Sequence, residues 1–110
     1  MVALRGYIDE RGKKRFASWL EALDPTAAAK VTIALTRMEQ GNFSKAKGVG
    51  AGVYEYKIDF GPGYRIYFGR DGDRLVILLG GGTKKRQNKD IQDARGCWAD
   101  YKRRKKQETH

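Results

Sequence analysis

Lys57, Arg65 and Tyr67 take polar positions in two alternating runs, VYEYKIDF (53–60) and YRIYF (64–68), and a second cationic group, Lys84-Lys85-Arg86, follows a strongly apolar stretch. Brought together, side chains of these types suit one reaction, the cleavage of an RNA strand without a metal. That chemistry needs a base for the proton of a 2′-hydroxyl, cations to stabilise a pentavalent phosphorane, and an acid for the departing 5′-oxygen. Crowded lysines and arginines can fill all three roles, because neighbouring positive charge lowers a lysine pKa toward the range where it acts as a base. A tyrosine adds a ring on which an unpaired base can stack, worth roughly 1–3 kcal/mol per base. The alternative is that these charges are only the solvated face of an antiparallel sheet, which the spacing fits as well. Placement decides: Arg65 and Lys84 must reach one wall, and they do so if the apolar stretch forms a strand beside that of Arg65.

Other chemistries find little support. Cys97 is the only cysteine, stands next to an apolar-stripe residue, Trp98, and reads as partly buried packing. No disulfide within the chain and no structural zinc set can be built from it. His110 is the only histidine and ends the sequence, which argues against a histidine general acid. Asp59 is expected to pair with Arg65, and Glu55 with Lys57 or another strand neighbour, as structural ions. Gly80-Gly81-Gly82 permits close backbone approach or positive φ, with N–H groups that could face a phosphate, but three glycines alone are a weak sign. No phosphate-binding loop, nucleophile elbow or metal-ligand spacing occurs, so no cofactor is expected.

The elements that must position the cations follow from periodicity. In the first run Tyr54, Tyr56, Ile58 and Phe60 share one parity and in the second Tyr64, Ile66 and Phe68 do, the period-2 pattern of half-buried strands. Both apolar sets share a face only if paired residue numbers sum to an even value. Centring the turn on Pro62 sets Ile58 opposite Ile66, Phe60 opposite Tyr64, Lys57 opposite Tyr67 and Asp59 opposite Arg65. One face is then core and the other collects Lys, Arg and Tyr. Val2 to Ile8 reads as a short edge or first strand. Phe16, Trp19, Leu20 and Leu23 give a helix over Lys13 to Leu23. Asp24-Pro25 supplies an N-cap and a first-turn proline for a second helix to about Gln40, ended by Gly41, and the two helices form an antiparallel hairpin.

The glycine-rich segment from Gly41 to Gly52, carrying Lys45 and Lys47, reads as loop. Arg70 to Asp73 is a turn, and Leu75 to Leu79 is a strand buried on both faces. Thr83 or Asn88 caps a last helix with Ile91, Ala94, Trp98 and Tyr101 along one side, fraying at Lys102–Lys106 into a solvated basic tail that could also bind a nucleic-acid backbone. The fold class is therefore α+β: a helical hairpin on a twisted antiparallel sheet of about four strands, with a C-terminal helix, as one domain over 1–110.

The 110 residues hold 23 Lys and Arg against 13 Asp and Glu, a formal net charge of +10. Such a surplus points to a polyanionic partner: nucleic acid, an acidic protein or an anionic membrane surface. Part of it is concentrated in residues 84–106, with ten Lys and Arg against Asp90, Asp93 and Asp100. The first residues lack a secretory apolar region, and no apolar run approaches the length of a membrane span, so a cytoplasmic location is expected.

The succession GNF (41–43), GVYEYKIDFGPGYRIYF (52–68), LLGGGTKKRQNKDI (78–91) and WADYK (98–102) resembles the phage Gp49-like or HigB-like addiction module killer branch of the RelE/ParE toxin superfamily. The resemblance covers nearly the whole chain. It implies a small α+β fold and the toxin of a type II toxin–antitoxin pair. Most such toxins cut mRNA on the translating ribosome, arresting translation and growth, whereas ParE relatives poison DNA gyrase. An inactive antitoxin-binding co-repressor is a further alternative. Arg65 stands in the GYR motif and Lys84-Lys85 in the GG-T-K-K motif, so both inherit the basic active face of the family. Lys57 departs from the pattern, since relatives more often read E-L-R there, and a lysine loses bidentate phosphate geometry. The resulting assignment is Lys57, Arg65, Lys84 and Lys85 as the catalytic set, with Tyr67, Arg86, Lys45 and Lys47 contacting RNA. The implied partners are the ribosome with its mRNA, an acidic helix-turn-helix antitoxin, and operator DNA bound through that antitoxin.

Overall fold

The computed structural model describes residues 1–108. Five strands form one mixed sheet in the order β1-β5-β4-β3-β2: β1 (Ala3–Gly6), β2 (Ala46–Gly48), β3 (Val53–Ile58), β4 (Tyr64–Arg70) and β5 (Leu75–Thr83). Helices α1 (Arg15–Glu21) and α2 (Pro25–Glu39) precede β2, and α3 (Gln87–Glu108) ends the described chain. The sheet is antiparallel except at one edge, where β1 runs parallel to β5. The expected loop between Gly41 and Gly52 contains the three-residue edge strand β2, paired with β3.

Each helix forms where its apolar residues can share a stripe. Phe16 is buried and Trp19, Leu20 and Leu23 pack against the same core. Asp24 caps α2 by accepting the Ala27 backbone N–H at 2.9 Å, with Pro25 as the first helical residue. Val31, Ala34 and Met38 then lie against Tyr56, Ile66 and Phe68 on one side of the sheet.

The other side is not simply a polar face. Val53, Tyr67, Ile77 and Leu79 make a second core there under Ala94 and Trp98 of α3, so β4 is buried on both sides for all but its last residue. Trp98 comes this close because Gly69 lies beneath it: a Cβ at Gly69 would stand 2.4 Å from the indole ring.

The β3–β4 hairpin keeps the expected parity but shifts by two residues. Ile58 pairs with Tyr64, Tyr56 with Ile66, Glu55 with Tyr67 and Lys57 with Arg65. The turn centres on Gly61, not Pro62, because Gly61 and Gly63 take φ of 54° and 78°, values open to glycine, and the Gly63 N–H closes on the Phe60 carbonyl at 3.0 Å. Phe60 therefore belongs to the turn, and Asp59 is not opposite Arg65. In the β4–β5 ladder the register slips between Tyr67 and Phe68, leaving Leu79 as the extra residue of a bulge. Beyond it, Gly81 faces α1 and Gly82 faces α3.

Lys102–Lys106 does not fray, since α3 continues through Glu108. Tyr101 donates to Asp71 at 2.7 Å, Tyr7 donates to Asp100 at 2.6 Å, and Lys105 pairs with Asp71. Neither Thr83 nor Asn88 caps this helix: a single 3₁₀ turn, Lys84–Arg86, leads from β5 directly into Gln87.

Candidate functional site

Register places Lys57, Arg65 and Gly82 in one row across β3, β4 and β5, on the side covered by α3. Arg65 is only 5% exposed. Its Nη1 donates to the Gly63 carbonyl at 2.7 Å, and the Lys84 backbone N–H donates to the same oxygen at 3.1 Å. Arg65 and the start of the Lys84-Lys85-Arg86 turn thus meet at Gly63. A Cβ on that glycine would stand 3.1 Å from Arg65 Nη1 and 3.6 Å from Lys84 Cβ, so the approach needs a residue without a side chain. Lys84, Lys85 and Arg86 are exposed and line a shallow depression that continues to Lys89.

Lys57 is exposed beside Arg65, with its ammonium 3.5 Å from the Asp59 carboxylate. Asp59 therefore pairs with Lys57 and not with Arg65. Lys45 is exposed on the neighbouring edge, where its carbonyl accepts the Lys57 N–H at 3.3 Å.

Glu55 organises the row from below. Its carboxylate is 1% exposed and accepts from Tyr67 Oη at 3.1 Å and from Gln87 Nε2 at 2.9 Å. Arg65 Nε stands 3.6 Å away and Lys47 Nζ 3.8 Å. One buried anion thereby ties β2, β3, β4 and the first residue of α3 together. Arg65 Nε makes no hydrogen bond; the adjacent carboxylate supplies opposite charge without ideal alignment. Glu55 was expected to be a structural ion held by a strand neighbour, as it is. Gln87, 32 residues away, gave no periodic signal, so only the fold reveals it.

Tyr67 does not offer a ring for stacking. It is 1% exposed, packed in the second core, and burial together with the Glu55 carboxylate pushes its hydroxyl pKa far up. Its apparent place on a polar face concealed this, because that face lies under α3. Tyr67 acts on Glu55, not on a ligand.

The three glycines of β5 lie in the ladder with β4 and take no positive φ, so no phosphate cradle forms there. Two of them serve close packing instead. A Cβ on Gly81 would stand 2.3 Å from Trp19, and one on Gly82 1.9 Å from the Asp90 carboxylate. Asp90, in the first turn of α3, thus stands at the end of the row, and burial raises its carboxyl pKa against the pull of Arg86. Cys97 is half-buried and its thiol is likewise pushed up by burial. His110 lies outside the described residues, as does the end of the expected basic tail.

Among the described residues no group of three or more His, Cys, Asp or Glu is arranged to hold a metal, and no helix is long and apolar enough to cross a membrane. The site is a row of cations on a sheet, braced by one buried carboxylate.

The molecule is thus a small α+β domain with a basic row across one side of its sheet. The chain belongs to the family described as phage derived protein Gp49-like (DUF891), whose model matches residues 18–96, from α1 to the middle of α3. That family is associated with addiction-module toxins of RelE-like type. An "Uncharacterized protein" of Haemophilus influenzae is 44% identical to it over 81 residues, covering 73% of this chain and 82% of the relative.

Proposed function

We propose that this protein is the HigB-like toxin of a type II toxin–antitoxin pair and cuts mRNA on the translating ribosome without a metal. The observation that carries the reading is the meeting of Arg65 and Lys84 at the Gly63 carbonyl, in the same row as Lys57. In the reaction, Lys57 or one of Lys84 and Lys85 takes the 2′-hydroxyl proton. The 2′-oxygen attacks the adjacent phosphorus, and the P–O5′ bond breaks as a lysine ammonium protonates the leaving oxygen. The products are a 2′,3′-cyclic phosphate and a 5′-hydroxyl. Arg65 and the exposed cations stabilise the phosphorane, while Arg86, Lys45 and Lys47 hold the flanking backbone. An acidic helix-turn-helix antitoxin covers this basic wall in the cytoplasm and carries the complex to operator DNA.

Induction in a bacterium followed by mapping of RNA 5′ ends tests the reading. Cleaved mRNAs are expected from the wild type, and Arg65→Ala should reduce the cleavage rate by about 10²–10³, as when a single oxyanion donor is lost. Growth arrest with intact mRNA and gyrase-dependent DNA breaks would overturn it.

A further inference from the structure

A groove of about 190 Å³ runs between α2 and the end of β3, on the side of the sheet opposite α3. Lys30 and Arg37 of α2 line one side, and Lys45 and Lys57 belong to the other. Seven residues separate Lys30 from Arg37, two helical turns or about 10 Å, so both project from one face of α2. The one carboxylate in the lining, Asp59, is engaged by Lys57. Four cations therefore share a single counter-ion, whereas near the C-terminus Asp71 and Asp100 neutralise Lys105, Arg103 and Arg104.

The groove also offers apolar surface. Lys30 Nζ lies over the Phe60 ring at 5.2 Å, and Ile33, between the two α2 cations, is 48% exposed. Cations that track a backbone, with apolar and aromatic surface between them, are what unpaired nucleic acid requires. A helical peptide needs a longer apolar stripe than one exposed isoleucine. Lys57 is common to both, lining this groove on the α2 side and standing opposite Arg65 in the row on the α3 side, so a strand that occupies both must round the end of β3.

We propose that this groove is a subsite for the single-stranded RNA flanking the cleaved phosphate, with Lys30 and Arg37 on its backbone and Phe60 and Ile33 against a base. The proposal rests on the RNA-cleaving reading and extends it to residues of α2.

The test uses the full chain and a single-stranded 2′-O-methyl oligoribonucleotide, which has no nucleophile and so remains intact. Binding is followed by fluorescence anisotropy over a salt series, for a long oligonucleotide and for a short one that fills only the row. The Lys30→Ala/Arg37→Ala double variant, exposed at both positions, should melt at the wild-type temperature. Its affinity for the long strand should fall roughly tenfold, and its salt slope by about 1.4, two single-strand phosphate contacts. The short strand should bind as before. Equal affinity of variant and wild type for the long strand would overturn the proposal. So would loss of binding to an acidic helical peptide with RNA binding intact, which would give the groove to a protein partner. RNA-end mapping in cells reports on cleavage and this assay on the groove, so each can fail alone.

Discussion

Arg65 brings its charge to the base of a wall, not to its rim, and that placement depends on Glu55. A buried guanidinium and a buried carboxylate are each costly alone and tolerable together. Glu55→Ala would leave Arg65 without its counter-charge and Tyr67 and Gln87 without an acceptor. Urea denaturation should show a loss of about 3–5 kcal/mol, the usual cost of removing one partner from a buried ion pair. An unchanged denaturation midpoint would mean that Arg65 is neutralised elsewhere. The basic residues of the site were legible in the sequence because their types and motif positions do not depend on the fold. The brace was not, because Gln87 joins Glu55 only after β5 and the 3₁₀ turn have folded back, and because Tyr67 looks solvent-facing until α3 is placed over it.

At the scale of elements, α3 is held at both ends by different chemistry. Asp90 near its start and Trp98 at its middle press on glycines of the sheet, while beyond them Asp100 and Tyr101 bond to Tyr7 and Asp71, and Lys105 pairs with Asp71. Gly81 does the same for α1. Gly81→Ala would push a methyl into the Trp19 ring and should destabilise the fold by about 1–3 kcal/mol, the usual cost of overpacking, read as a lowered melting temperature.

The tyrosine–aspartate pairs set a pH window. Hydrogen bonds from Lys105 and then Tyr101 to Asp71, and from Tyr7 to Asp100, hold both carboxyls below the usual 3.8. Their contribution is present above that pH and is lost as the medium acidifies. Burial first, then the carboxylate partner, pushes Tyr7 and Tyr101 from the usual 10 up to about 12. Their contribution is complete below pH 10 and disappears as pH climbs toward 12. Asp90 works the other way, since its raised carboxyl costs stability once its unfolded counterpart ionises. Stability followed by circular dichroism should be flat through neutrality and fall at both extremes, and Tyr7→Phe/Tyr101→Phe should shrink the alkaline arm to the part that the buried Tyr67 contributes. An alkaline arm of unchanged size in the double variant would place that titration elsewhere. These contacts are also why the C-terminal residues 102–108 form helix instead of the expected tail: like charges in sequence are separated in space by Asp71 and Asp100. Periodicity located α1, α2, β3 and β4, whereas the hairpin register depended on which glycines turn left-handed, and the parallel partner of β1 lies too far along the chain for any local pattern to show.

For the whole molecule, the balance of +10 predicts that association with RNA weakens steeply as salt rises. Log affinity for a single strand should decline linearly against log salt with a slope of roughly −0.7 per phosphate contacted. A flat line would remove the nucleic-acid backbone from the interface and overturn the RNA-cleaving proposal.

The edge pairing of β1 with β5 also sets a clock on synthesis. Residue 3 aligns with residue 75, so the first strand emerges from the ribosome roughly 4–14 s before its partner at ordinary elongation rates. The Lys84 turn follows later still. A newly made copy therefore can neither close this edge of its sheet nor complete its row of cations until residues 75–86 have followed the first strand out of the ribosome.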